Sequence, residues 1–171
     1  MQRIFLFAIL ILALSSCFDK PLPPTTDIVA CNEPNRSAII GTWETDWMIV
    51  RIDTINNSET SVVVEITPSD WGDKVKTLPA RCRFNDDGTY VSWIYDTDHR
   101  LIRKCIGHWN MNAQFLAIEQ QYPSARNMVW QVNIPKSSKY AEFFSKYDFD
   151  GDGKSDDNIY CQMKRISPAS I

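Results

Sequence analysis

Catalytic signatures, histidine and glycine are scarce in this 171-residue chain, and each scarcity narrows what it can be. Its two histidines, His99 and His108, have no histidine partner four residues away. No G-x-S-x-G elbow and no glycine-rich phosphate loop occurs, so neither an acyl-transfer nucleophile nor a nucleotide cradle is marked. Asp96 and Asp98 beside His99 read as turn formers rather than as an acid–base pair. The expected class is therefore a protein that is not an enzyme. There is no basic stripe and the net charge is −3, which argues against nucleic acid as a partner. None of the five cysteines sits at C-x-x-C spacing, so zinc and thioredoxin-like readings have no basis. No repeat of fixed period is present. Helical periodicity is not convincing anywhere, although residues 140–147 could be read as a short helix. The longest apolar run, residues 4–14, is about half of the ~20 residues that cross a bilayer.

What the first residues do hold is an address. Arg3 supplies a basic start, residues 4–14 an apolar centre, and Ser15 and Ser16 small residues before a cut. That is the layout of a secretory signal. Leu14-Ser15-Ser16-Cys17 resembles the lipobox of bacterial lipoproteins, in which the cysteine receives lipid and becomes the new first residue. The resemblance implies a signal peptide over residues 1–16 and a membrane anchor, palmitate among its acyl groups, on Cys17. Phe18 stands where the aspartate linked to inner-membrane retention in enteric bacteria would be. The expected location is thus the cell envelope, on the outer membrane. Losing Arg3 with the signal moves the net charge from −3 to −4.

Residues 17–38 read as the lipidated cysteine and a linker, because Pro21, Pro23, Pro24 and Pro34 favour extended, unpacked backbone. Residues 39–171 are long enough for one domain with a real core. Besides Cys17 there are Cys31, Cys82, Cys105 and Cys161. An even count in an exported protein suggests two disulfides. Cys82 and Cys105 fall on strands separated by a third, about 9.6 Å apart at ~4.8 Å per strand. A disulfide needs Cα atoms within about 7 Å, so that pairing is disfavoured.

From residue 39 onward the chain reads as short strands between turns: 39–51, 61–67, 81–84, 89–95, 101–109, 115–121, 128–134, 140–147 and 158–166. Residues 68–79 read as a loop, and Asp87-Gly88 marks the clearest hairpin. Sequential strands usually pair with their neighbours. The expected fold is all-β, an antiparallel up-and-down meander of about eight strands that closes into a barrel and so removes its edges.

The order of the motifs adds to this. Ile40-Gly41-Thr42-Trp43 opens the first strand. Phe84-Asn85-Asp86-Asp87-Gly88-Thr89-Tyr90 forms the hairpin, and Gly107-His108-Trp109-Asn110-Met111-Asn112 precedes Phe115-Leu116-Ala117-Ile118. This series resembles the lipocalin-like lipoproteins of Bacteroidetes over residues 39–166. The resemblance implies a cupped barrel in which Trp43 packs at the floor and Arg165 covers it. It also implies a small, largely apolar ligand. The alternative is an envelope-structural or protein-interaction module with a filled core and no identified partner.

One constellation could hold a metal. Asp148, Asp150, Asp152 and Asp156 fall at relative positions 1, 3, 5 and 9, with Gly153 at 6. Calcium takes six to eight oxygens at ~2.3–2.6 Å, and a tight loop of alternating Asp residues supplies them. The Lys154 carbonyl would be the main-chain ligand. Ile159 occupies the place of the EF-hand glutamate, so the loop resembles instead the D-x-D-x-D-G-x-x-D calcium loops in hairpins of extracellular β-proteins. Trp93, Tyr95 and Trp109 are the candidates for lining a ligand pocket, against the plainer reading that they fill the core.

Overall fold

The computed structural model describes residues 33–52, 61–135, 139–148 and 153–166. Cys17, Cys31, Asp150 and Asp152 lie outside them. A short helix α1 (Glu33–Ile39) leads into nine strands: β1 (Gly41–Ile52), β2 (Val62–Ile66), β3 (Arg81–Phe84), β4 (Thr89–Tyr95), β5 (Leu101–Asn112), β6 (Phe115–Tyr122), β7 (Arg126–Asn133), β8 (Tyr140–Tyr147) and β9 (Asp157–Ile166). The linker expected over residues 17–38 is therefore cut short by α1. Seven residues carry too little periodicity to announce a helix, and packing stabilises it: Ile39 is fully buried in the core. The loop over residues 68–79 contains one helical turn, Trp71–Val75, whose two end residues pack on Ile66. The segment 140–147 is a strand.

Every neighbouring pair is antiparallel, and β1 also pairs with β9. The strands β1-β3-β4-β5-β6-β7-β8-β9 thus close into an eight-stranded barrel, with β2 as a ninth strand beside it. β1 makes this possible by dividing one edge. Gly41–Glu44 pair with β3, and Met48–Ile52 pair with β2. The barrel is the expected antiparallel meander, with β2 set beside it and, among the described residues, paired only with β1. A bulge between Thr45 and Trp47 shifts the register of β1 against β9. The extra residue switches which side chains point inward. Trp43 faces in before the bulge, and Val50 and Ile52 face in after it.

One end of the barrel is a packed floor. Trp43, Phe84, Tyr90, Trp109, Leu116, Phe143 and Met163 share one buried cluster, and Phe84 meets Tyr90 and Trp109 ring to ring at 5.3 and 5.6 Å. The Arg165 guanidinium lies 4.4 Å from the Trp43 ring centroid, the contact that the motif resemblance implies. It also donates to the Ile40 carbonyl at 2.6 Å and to the Ala38 carbonyl. Trp43 donates its indole N–H to the Ile39 carbonyl at 2.7 Å. The end of α1, the first strand and the last strand are thereby tied at one point. Gly41 is required there. Its φ is +130°, and a Cβ would sit 2.9 Å from Arg165 Nη1.

Across the barrel, Gly107 of β5 lets β6 approach. A Cβ there would lie 2.8 Å from Gln120 Cα and closer still to the Glu119 carbonyl oxygen, both backbone atoms that cannot swing away. Gly107→Ala should therefore destabilise the fold by about 1–3 kcal/mol, as over-packing does. Urea denaturation of the purified variant measures this, and an unchanged midpoint would contradict the β5–β6 packing.

Candidate functional site

Side chains alternate across each strand, so the inner rows follow from burial and register. They are Tyr90, Ser92 and Ile94 on β4; Arg103, Cys105, Gly107, Trp109 and Met111 on β5; Leu116, Ile118 and Gln120 on β6; Arg126, Met128, Trp130 and Val132 on β7; Ala141, Phe143, Ser145 and Tyr147 on β8; and Asp157, Ile159, Cys161 and Met163 on β9. Near the floor the inner residues are buried. Towards the other end the inner rows are mixed: Met48, Ile94, Met128, Trp130, Tyr147 and Ile159 are half-buried, with Arg103, Arg126 and Ser92 among them, whereas Val50, Ile52, Gln120 and Asp157 are buried. Trp130 meets Phe143 edge-on at 6.3 Å, where the two regions join. Arg126 stands 4.0 Å from the centroid of Tyr147.

The sequence-derived pocket candidates divide. Trp109 is inside but in the floor, 4% exposed, with its indole N–H donated to the Asn85 carbonyl at 2.9 Å and Arg36 of α1 5.1 Å from its ring. Trp93 and Tyr95 alternate with inward Tyr90 and Ser92 and so face outward, Trp93 lying in register between Arg81 and Lys104. They line no interior pocket. The residues in the right place, Met128 and Trp130, were missed because β7 carries apolar residues on both phases: Met128, Trp130 and Val132 inside, Val129 outside.

The expected pair of disulfides is absent among the described residues, where Cys82, Cys105 and Cys161 are free and buried. Register explains part of this. Ser92 pairs with Cys82 on one side and Cys105 on the other, so a whole strand separates them, as expected. Burial raises the Cys82 thiol and pushes Cys161 up to about 12, so both stay protonated at neutral pH and are poor nucleophiles.

At the open end, Asp96 builds its turn by accepting from the amides of Asp98 and Arg100 at 2.9 and 2.8 Å, the structural role expected of it. The aspartate loop joins β8 to β9 at the same end. Asp148 Oδ2 accepts from the Gly153 amide at 3.0 Å, and Gly153 has a φ of +89°. Asp156 Oδ1 is buried and accepts no hydrogen bond. A shielded carboxylate oxygen with no donor fits a cation. Among the described residues no three His, Cys, Asp or Glu side chains converge as a metal cage. Asp157, a loop acid by sequence, is instead fully buried in β9 opposite Tyr147.

Comparison with known protein families and with curated proteins finds no match.

On the outer wall, Glu44 ties three strands together. It accepts from Arg81 Nε at 2.7 Å and pairs with Lys164 Nζ at 3.0 Å. Burial alone would raise its pKa, but the hydrogen bonds from Lys164 and Arg81 outweigh that and hold it below its ordinary value of 4.5. A lowered carboxyl contributes stability above the unfolded pKa and loses it as pH falls through the folded one. Glu44→Gln should thus be less stable than the parent at pH 7, with the gap closing as pH drops below 4.5. Urea midpoints of the two proteins at pH 7 and at about pH 3 measure this; a gap independent of pH would show that Glu44 is not charged in the fold.

Proposed function

We propose that this chain is a lipid-anchored, lipocalin-like envelope protein that binds a small, largely apolar molecule in the open half of its barrel. The observation that carries the reading is the set of half-buried apolar side chains on the inner rows. Met48, Ile94, Met128, Trp130, Tyr147 and Ile159 are half-buried above a packed floor, beside buried Val50 and Ile52. Binding sites are mostly apolar concavities with a few placed polar groups, and Arg103, Arg126 and Ser92 supply those groups here. The Trp43–Arg165 contact and the order of the G-x-W and D-G-T-Y motifs support the lipocalin-like assignment. No catalytic step is proposed. The anchor on Cys17 and placement at the outer membrane rest on the lipobox.

Calcium is proposed as a structural ion of the β8–β9 loop. Asp148, Asp150, Asp152 and Asp156, with the Lys154 carbonyl, would hold it, and a bound cation would relieve the repulsion among the clustered acids. The unpartnered oxygen of Asp156 supports this.

A second reading is favoured by a different feature. Leu101, Ile102, Ile106 and Tyr122 are exposed together at the open end, with Ile106 opposite Tyr122 in register. Exposed apolar patches mark interaction sites, so a protein-interaction module remains the alternative.

Native mass spectrometry of the signal-free protein should show both a co-purified small molecule and bound calcium. Trp130→Ala should lose the molecule and keep the metal; Asp150→Ala should do the reverse. Calcium at 100 times its Kd should add about 2.7 kcal/mol of stability. A parent that carries no small molecule, and takes up none from an apolar panel, would favour the interaction module. Separately, Cys17→Ser should move the protein from the membrane fraction to the soluble one, and a variant that stays with the membrane would exclude the anchor.

A further inference from the structure

One wall of the barrel turns apolar side chains to solvent through two irregularities of pairing. The β4–β5 ladder shifts after Ile94: Arg103 stands opposite Ile94 and Leu101 opposite Tyr95, which leaves Ile102 without a partner on β4. The β5–β6 ladder shifts in the same way. Ile106 stands opposite Tyr122 and Gly107 opposite Gln120, which leaves Gln121 over. A bulge sets two successive residues against one and re-aims their side chains. Leu101 and Ile102, neighbours in sequence, are accordingly both exposed, at 51% and 54%, and Tyr122 is exposed at 56% beside Ile106 at 42%. Regular alternation would have sent one of Leu101 and Ile102 inward.

Cations stand among these residues. On the outer face Trp93 lies between Arg81 and Lys104, and Val91 lies between Arg83 and Ile106. Arg81 is already held by Glu44. Among the described residues no carboxylate pairs with Arg83 or Lys104. In the turn above, Asp96 spends its carboxylate on the amides of Asp98 and Arg100, and Asp98 lies 3.5 Å from the Arg100 guanidinium. The wall thus joins exposed aliphatic side chains, aromatic rings with polar tips and two unpaired cations. At a bilayer surface, aliphatic side chains enter the acyl boundary, Trp and Tyr sit at headgroup level, and Lys and Arg meet lipid phosphates.

The expected anchor joins the barrel on the same side. Arg36 of α1 donates to the Asp86 carbonyl in the β3–β4 turn at 2.8 Å and stands 5.1 Å from the Trp109 ring of β5. The sixteen residues from Cys17 up to α1 can reach at most about 55 Å, at ~3.3–3.6 Å each. β5, twelve residues long, spans about 40 Å. A tether of that length lets the whole wall meet the bilayer. It also makes the contact intramolecular, so a modest affinity suffices and the bilayer outcompetes partners that must arrive from solution.

We propose that the outer wall from β3 to β6 is a docking face for an anionic bilayer surface, with Leu101, Ile102, Ile106 and Tyr122 entering the interfacial layer and Arg83 and Lys104 on lipid phosphates. This rests on the reading of Cys17 as a lipid anchor and adds that the barrel lies against the membrane on one defined side.

The test uses the signal-free Cys17→Ser chain, which carries no lipid of its own. The probes are vesicles of phosphatidylglycerol with phosphatidylethanolamine, and neutral vesicles of phosphatidylcholine. Co-sedimentation should show binding to the anionic vesicles, about tenfold weaker on neutral ones and about tenfold weaker for Arg83→Glu with Lys104→Glu. Ile102→Ser with Ile106→Ser should also weaken it about tenfold. Val63→Ser removes an apolar side chain of β2 that is 61% exposed away from this wall, and should leave binding within about twofold of the parent. Urea midpoints near the parent's show that each variant is folded. If the parent binds neither vesicle, or if Val63→Ser weakens binding as much as the wall variants do, the docking face is refuted. Equal binding to neutral vesicles would refute the role of the cations. A parent that stays off vesicles and forms a dimer that Ile106→Ser dissolves, read by sedimentation velocity, would assign the wall to a second copy and overturn the membrane proposal. Fractionation of the native protein reads the anchor separately, so the anchor can stand where the docking face fails.

Discussion

Everything in this molecule hangs on how β1 shares its hydrogen-bonding edges. One edge is given wholly to β9, which closes the barrel. The other is split between β3 near the floor and β2 near the open end. A strand has only one row of donors and acceptors per edge, so β3, four residues long, pairs with the part of β1 that β2 does not take. The chain between β2 and β3 must then span the remaining wall beside β4. It does so with Leu78 donating to the Tyr95 carbonyl at 2.8 Å and a bridge from Thr77 to Asp96. The helical turn over Trp71–Val75 and its apolar contacts with Ile66 and Met48 follow from that detour.

The floor and the open half answer to different physics. At the floor, three indole or guanidinium groups find backbone carbonyls: Trp43 on Ile39, Trp109 on Asn85 and Arg165 on Ile40. These three groups are satisfied there, so Trp43 and Trp109 are buried without orphaned donors. In the other half the inner rows mix Arg103, Arg126, Ser92 and half-buried apolar side chains with buried Val50, Ile52 and Asp157. Polar side chains of this kind would be costly to close into a dry core without partners.

Much of the architecture was legible in the sequence, where local chemistry decides. β4 and β8 have the expected bounds. β4 follows a turn in which Asp87 accepts from Thr89 and Asn85 closes on Thr89, contacts set within a few residues. The Trp43–Arg165 contact was legible through the order of the motifs. What could not be read were choices set by distant partners. The alternation on β4 offers two phases, Tyr90-Ser92-Ile94 and Val91-Trp93-Tyr95, and the second has the larger aromatic surface. The first wins because Tyr90 must meet Phe84 and the floor, and Trp93 is carried outward by parity. The bulge in β1 is hidden in the same way, since both phases around Trp47 and Met48 are apolar. The departure of β2 from the meander depends on edge sharing, for which a run of valines carries no signal.

β8 is held unequally on its two sides. On one side it is fastened to β9 by an unbroken ladder that ends at the aspartate loop; on the other it is fastened to β7 only near the floor. A cation held between Asp148 and Asp156 would shorten the span between the ends of β8 and β9 and stiffen a pairing that is already continuous. It would add nothing to the three-pair contact with β7. Beyond that ladder β8 meets β7 through side chains, with the Ser145 hydroxyl on the Val129 carbonyl and the Arg126 guanidinium on the Tyr147 ring. The two edges of one strand are thus held by different means, backbone pairing along β9 and, above the floor, side-chain contacts along β7.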